Sequence, residues 1–447
     1  MEMGIYFTFA VLCVLAGVFQ MVAMRTKSQK TSANNPQFKQ FQLLFFTVYF
    51  MALFSDWLQG PYVYKLYAHY GYESSDIALL YVAGFASSVV FGTTTGPLAD
   101  RFGRRKMALC FCALYSFCCL TKLSSNFYWL LIGRIFGGIS TSMLFSTFES
   151  WYVYQHTEIH DFPNEWISVT FTKATFWNGL LAINAGVVSN VFAETLQFGP
   201  VSPFMIAIPF LCIAGVIIYR TWGENYGNQK INLGQSCMEG LQTILFNETI
   251  LYLGIVQSLF EANMYIFVFQ WTPILDTGST PLGMVFACFM VCIMVGSALN
   301  TILLAKKYSP KQVLLIAVLM AILSMSICIF STSDSKFISF LAFLLLEVSV
   351  GIYFPVISYL RSQVIPEEVR ASIMNWFRVP TNVLTCGGLL LLHNKTIISS
   401  NQAMFTICTC ILGVAFVCNM KFNLMFKDVE NEKALKEKQP VPVEEDI

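Results

Sequence analysis

The chain has 447 residues, of which 56% are hydrophobic and only 12% charged, with a mean hydropathy of +0.61. Soluble proteins carry about 25% charged residues, so this composition excludes a soluble globular protein and identifies an all-α, polytopic membrane protein whose first partner is the bilayer. The net charge of +1 arises from basic residues dispersed in short loops, which excludes a nucleic-acid partner.

The segment from 4 to 24 is continuously apolar and spans a hydrocarbon core of about 30 Å at about 1.5 Å per residue. It starts Met1-Glu2-Met3, and its basic residues, Arg25, Lys27 and Lys30, follow it. That order predicts an uncleaved helix with its N-terminus outside. Residues 1–40 thus form an extra N-terminal helix and a basic cytoplasmic loop. Further apolar runs fall near 41–64, 77–97, 107–124, 127–150, 167–191 and 201–221, the first six-helix half (41–221). A polar stretch, 222–248, reads as a cytoplasmic linker. Runs near 249–273, 281–305, 312–331, 337–361, 371–393 and 402–424 make a second half, 249–426, and 427–447 reads as a disordered cytoplasmic tail. Twelve core helices plus one are expected.

Gly96-Pro97-Leu98-Ala99-Asp100-Arg101-Phe102-Gly103-Arg104-Arg105-Lys106 is a charged hairpin between two apolar runs. An acid followed by four basic residues belongs in the cytoplasmic interface. Glycine permits a sharp reversal there, while Asp100 can cap a helix and Arg101 or Arg104 can reach an acid on another helix. The hairpin also orients the chain. Of the 27 Lys and Arg residues, Arg134, Lys173 and Arg378 fall inside apolar runs, and Lys65, Lys122, Lys336 and Lys395 fall on the outer side. All the others share the hairpin's side, so the C-terminus is cytoplasmic and the chain is expected in the plasma membrane. Asn394-Lys395-Thr396 is then an outward-facing glycosylation sequon, whereas Asn247-Glu248-Thr249 faces inward.

Thirteen of the fourteen cysteines sit in apolar runs and read as small buried groups. The C-x-C pairs at Cys110/Cys112 and Cys408/Cys410 have no histidine beside them, so neither a metal site nor a cofactor is expected. His69, His156, His160 and His393 lie in loops or at span ends without a nucleophile motif, which argues against an enzyme.

Ionisable groups inside spans mark pathways. Here they are Asp56, Arg134, Glu149, Lys173, Glu261, Glu347 and Arg378. Depth along the helices predicts an ion pair between Asp56 and Arg134, serving either as a structural lock or in coupling to protons. Glu149 is the expected partner of Arg101 or Arg104 in latching the hairpin. Taken as parallel repeats, the two halves each place one cation beside a Trp and an Asn: Lys173 with Trp177 and Asn178, and Arg378 with Asn375 and Trp376. Two cations with directed N–H donors suit a small oxyanion; pairing of Lys173 and Arg378 with Glu261, Glu347 or loop acids is the alternative.

The hairpin pattern G-x-x-x-D-R-x-G-R-R-K resembles the loop between helices 2 and 3 of the major facilitator superfamily, and Arg134-Ile135-Phe136-Gly137-Gly138 resembles its helix-4 motif. That resemblance implies two six-helix halves around a central cavity lined by helices 1, 4, 5, 7, 10 and 11, the helices that carry the buried charges. Asp56-Trp57-Leu58-Gln59-Gly60-Pro61-Tyr62, Cys118–Ser124, Phe148–Tyr152, His160–Pro163, Trp222-Gly223-Glu224-Asn225-Tyr226 and Asn375–Pro380 are similar to the molybdate-anion transporter branch. The branch implies uptake of molybdate, a small inorganic anion. One departure stands out: the turn Ala305-Lys306-Lys307-Tyr308-Ser309-Pro310 lacks the acid and glycine expected of a second gate.

The expectation is a secondary transporter of molybdate or a related tetrahedral oxyanion. Lys173, Arg378, Trp177, Asn178, Asn375 and Trp376 would hold the anion, and Asp56, Glu261 and Glu347 would couple transport to protons. Gly96, Asp100, Arg101, Gly103, Arg104 and Glu149 would form the gate. The alternatives are a non-transporting sensor or scaffold that keeps the fold, and a carrier of another small solute.

Overall fold

A computed structural model describes residues 2–26, 35–227, 233–331, 336–366, 369–393 and 401–438. Asn394, Lys27 and Lys30 lie outside the described residues. The chain folds as α1 (Glu2–Thr26), α2 (Pro36–Gln59), α3 (Val63–His69), α4 (Ser74–Phe102), α5 (Arg104–Thr121), α6 (Phe127–Tyr154), α7 (Glu165–Asn190), α8 (Ser202–Thr221), α9 (Leu233–Phe246), α10 (Glu248–Leu275), α11 (Leu282–Ala305), α12 (Pro310–Phe330), α13 (Lys336–Val364), α14 (Arg370–His393) and α15 (Asn401–Lys438). Among the described residues, 11 helical segments are long and apolar enough to cross a membrane. The set omits α5, which opens on Arg104-Arg105-Lys106, and α14, which carries Arg370 and Arg378, although both pack as members of the bundle.

Packing repeats between the halves. In the first, α2 touches α7 and α8, and α6 touches α4 and α5, with α5 on α8; in the second, α10 touches α14 and α15, and α13 touches α11 and α12, with α12 on α15. Replacing each helix of the first set by its counterpart gives the second. The halves meet reciprocally, α4 against α14 and α7 against α11. These are the two six-helix halves of the expected fold, and α1 lies outside them against α11.

Two details differ from the sequence reading. The predicted hairpin loop is a single residue, because α4 continues to Phe102 and α5 starts at Arg104. Gly103 makes the reversal at φ 105°, where any other residue is strained, and a side chain there would also push aside the Glu224 carboxyl group above its Cα. The last helix reaches Lys438, where the sequence reads as an unstructured tail; its final turns are rich in Lys, Glu, Ala and Leu, which are strong helix formers.

Candidate functional site

A cavity of about 580 Å³ lies between the halves. Its wall is built from polar stripes at helical spacing. From α2 come Asp56, Trp57 and Gln59; from α4, Gly84, Ser88 and Gly92; from α6, Arg134, Gly137, Gly138, Thr141, Ser142 and Ser146. The second half contributes Gln257, Glu261 and Tyr265 from α10, Arg361 from α13, and Arg378, Thr381 and Asn382 from α14. Tyr115 and Lys122 of the first half also line it.

The cavity is shut at the end away from Gly103. There Lys65 of α3 pairs with Asp276 beyond α10, and aromatic rings join the halves: Tyr64 to Phe269 at 5.3 Å, Tyr81 to Phe269 at 5.2 Å and Phe85 to Tyr265 at 5.2 Å. Toward the hairpin end, Phe145, Phe354 and Arg378 of the wall are exposed.

Four cations face this space, Lys122, Arg134, Arg361 and Arg378, against two acids, Asp56 and Glu261. Glu261 accepts a hydrogen bond from Tyr353 Oη at 3.1 Å, and Arg361 donates to Gln257 at 3.3 Å. Arg134 donates from Nε to the Leu80 carbonyl at 3.2 Å, and its guanidinium lies over the Tyr81 ring, 4.8 Å from the centroid. A methyl group on Gly84 would come within 2.7 Å of that guanidinium, so only glycine leaves Arg134 its place. Arg378 crosses from α14 to α4, where a methyl group on Gly92 would lie 3.6 Å from its guanidinium. Among the described residues no carboxylate pairs with Arg378.

Several sequence expectations are corrected. Lys173 and Arg378 do not converge: Lys173 is absent from the cavity wall and donates to Gln42 at 3.0 Å. It shares an exposed face of α7 with Phe176 and Trp177, the latter 49% accessible. Asn178 stands behind the wall, accepting from Trp57 Nε1 at 2.8 Å. Asn375 and Trp376 are also absent from the wall, and Trp376 packs with Ile373 and Phe377 instead. Asp56 and Arg134 share the cavity, yet Asp56 is bonded to Tyr115 Oη rather than paired with Arg134. Glu347 is buried within α13, away from the wall.

The gate also differs in its partners. Arg104 binds Asp100 at 2.7 Å and the Ser150 carbonyl at 3.0 Å, while the neighbouring Glu149 is exposed. Glu224 accepts from the Arg105 backbone N–H at 2.8 Å, and the Gly227 N–H donates to the Asp100 carbonyl at 3.1 Å. Trp222 stacks on Trp151 at 3.6 Å. The Trp222–Tyr226 run therefore braces the hairpin from within its own half. Gly96 is an ordinary helical residue of α4, and Arg101 lies over the Phe102 ring.

Sequence reasoning missed Arg361, Lys122, Gln257, Tyr115 and Tyr265. The i, i+4 run Gln257-Glu261-Tyr265 was a readable signal, because such residues share one helix face.

A family model described as sugar transporters with 12 transmembrane segments matches residues 6–351. A molybdate-anion transporter from Takifugu rubripes is 45% identical over 419 residues, covering 87% of each chain. One from Xenopus tropicalis is 43% identical over 438 residues, covering 96% of each. Among solved structures, a point mutant of the nucleoside transporter NupG superposes with a TM-score of 0.68 at 13% identity, covering 86% of this chain and 99% of that one. A D-xylose-proton symporter gives 0.67 at 13% identity, covering 86% and 97%. At such identities the solved structures speak to the fold alone.

Proposed function

The chain belongs to the molybdate-anion transporter family of the major facilitator superfamily, and from that premise we propose that it carries molybdate across the membrane by alternating access. The observation that carries this reading is the cavity's surplus of positive charge, with no acid among the described residues at ion-pair distance from Arg378. A tetrahedral dianion needs charge compensation and several directed donors, and guanidinium supplies both. Arg378 and Arg361 are the central anion-binding cations. Asn382, Thr381 and Gln257 are the neutral polar groups beside them. Asp56 and Glu261, the acids of the wall, are the candidates for coupling to protons.

The excess of Lys and Arg on the hairpin side supports a cytoplasmic hairpin and C-terminus and an N-terminus outside. The structure is then the state open to the cytoplasm. Rocking the halves about the α4–α14 and α7–α11 contacts exposes the same cations to the outside.

The test is uptake of labelled molybdate into vesicles holding the purified chain, with and without an imposed pH gradient, in competition with tungstate and sulfate. Saturable uptake suppressed by tungstate is the expected result. Binding without flux would favour a sensor or scaffold, and indifference to all three anions would favour a carrier of another small solute.

A further inference from the structure

Lys122 is an unusual lysine. It ends α5 on the shut side of the molecule, is 1% exposed, and still lines the cavity. Its ammonium donates to Tyr67 Oη at 2.8 Å and lies 5.1 Å from the centroid of the same ring. Tyr70 Oη donates to the Lys122 carbonyl, which fixes the residue from the backbone side. Among the described residues no carboxylate pairs with it. A buried ammonium held by a neutral hydroxyl and a ring is under-compensated, because a desolvated cation is stable only with an anion or a full set of acceptors.

Arg134 belongs to the same end. It rests over Gly84 of α4, whereas Arg378 rests over Gly92. Eight residues of helix separate these two seats, about 12 Å at 1.5 Å per residue. The cavity therefore has two cationic positions, and the outer one holds Lys122 and Arg134 against a single acid, Asp56, already bonded to Tyr115. Directly outside it, α3 carries both Tyr67 and Lys65, and Lys65 makes the ion pair with Asp276 that joins the halves. Lys336 donates to the Asp276 carbonyl at 3.0 Å. Three lysines of this face thus gather around the closed mouth.

We propose that Lys122 and Arg134 form a second binding station for a tetrahedral oxyanion, distinct from the Arg378 position and loaded from the Lys65 face when the Lys65–Asp276 pair parts. The station rests on the reading of the chain as an anion carrier. An anion that reaches Lys65 competes with Asp276 for its ammonium, and the charge behind it, on Lys122 and Arg134, draws the anion inward. Transfer to Arg378 follows once that mouth shuts again.

The experiment compares the molybdate KM for transport from each face, in sealed vesicles of the two opposite orientations. Lys122→Gln is expected to raise KM from the Lys65 face about tenfold, the loss of one charge-assisted contact. From the hairpin face KM stays within about twofold, because the anion meets Arg378 first. Arg378→Gln raises both. Lys122→Arg, which keeps the charge, recovers most of the loss. A Lys122→Gln protein whose two KM values rise together, or not at all, overturns the station. Should that variant fail to fold, Arg134→Gln measured in the same way decides the matter. Wild-type vesicles that move no molybdate from either face would bring down the carrier reading itself, a result separable from a missing asymmetry in the variant.

Discussion

α7 and α14 are counterparts in the two halves, and each bears a cation eight residues after it begins: Lys173 after Glu165, Arg378 after Arg370. Their fates diverge. Arg378 enters the cavity and lies across α4 of the other half, whereas Lys173 turns to an exposed aromatic face and is held by Gln42. Equal depth along equivalent helices does not imply equal direction, since each residue advances about 100° around the axis and packing sets where zero lies. A repeat in sequence is evidence of position, not of purpose.

Breaking the member of the pair that lines the cavity should have the largest effect. Arg378→Gln is expected to lower kcat/KM for molybdate uptake about ten- to a hundredfold, the worth of one charge-assisted contact; uptake at the parental rate, with normal amounts of protein in the membrane, would remove Arg378 from the site. Arg378→Lys keeps the charge but loses the planar fork, so a loss of about fivefold is expected, most of it in KM. Gly84→Ala sharpens the comparison from the other half. The added methyl group displaces the Arg134 guanidinium, and uptake falls about fivefold while thermal stability in detergent drops, as in other overpacked sites. The smallest effect belongs to Lys173→Gln, with uptake within about twofold of the parent, as for an exposed charge. A tenfold loss there would restore the symmetric two-cation site.

Much of this was legible along the chain. Helices, the charged reversal and the two packed halves follow from hydropathy and from where charged residues interrupt the apolar runs. The polar wall was partly legible: Asp56, Arg134, Glu261 and Arg378 stand out as charges inside spans, and all four line the cavity. What stayed hidden depends on rotation and on bends. Lys122 reads as a loop residue because it follows the last turn of α5, yet α3 folds over it and buries it. Arg361 reads as a loop cation at the very end of an apolar run, but α13 continues to Val364 and carries it inside. Glu224 lies in what reads as a linker, and only the folded chain brings it to the Arg105 amide.

The bracing of Gly103 has an energetic corollary. Asp100 and Arg104 satisfy each other, and Glu224 and the Trp222 indole hold the turn, all inside one half. Should the acid swing toward the opposite bundle, it would exchange existing bonds for new ones instead of emerging from water unpaired. Such an exchange avoids the cost of leaving a buried donor or acceptor unpaired. A cargo then shifts the molecule by as much as its affinity differs between the two postures.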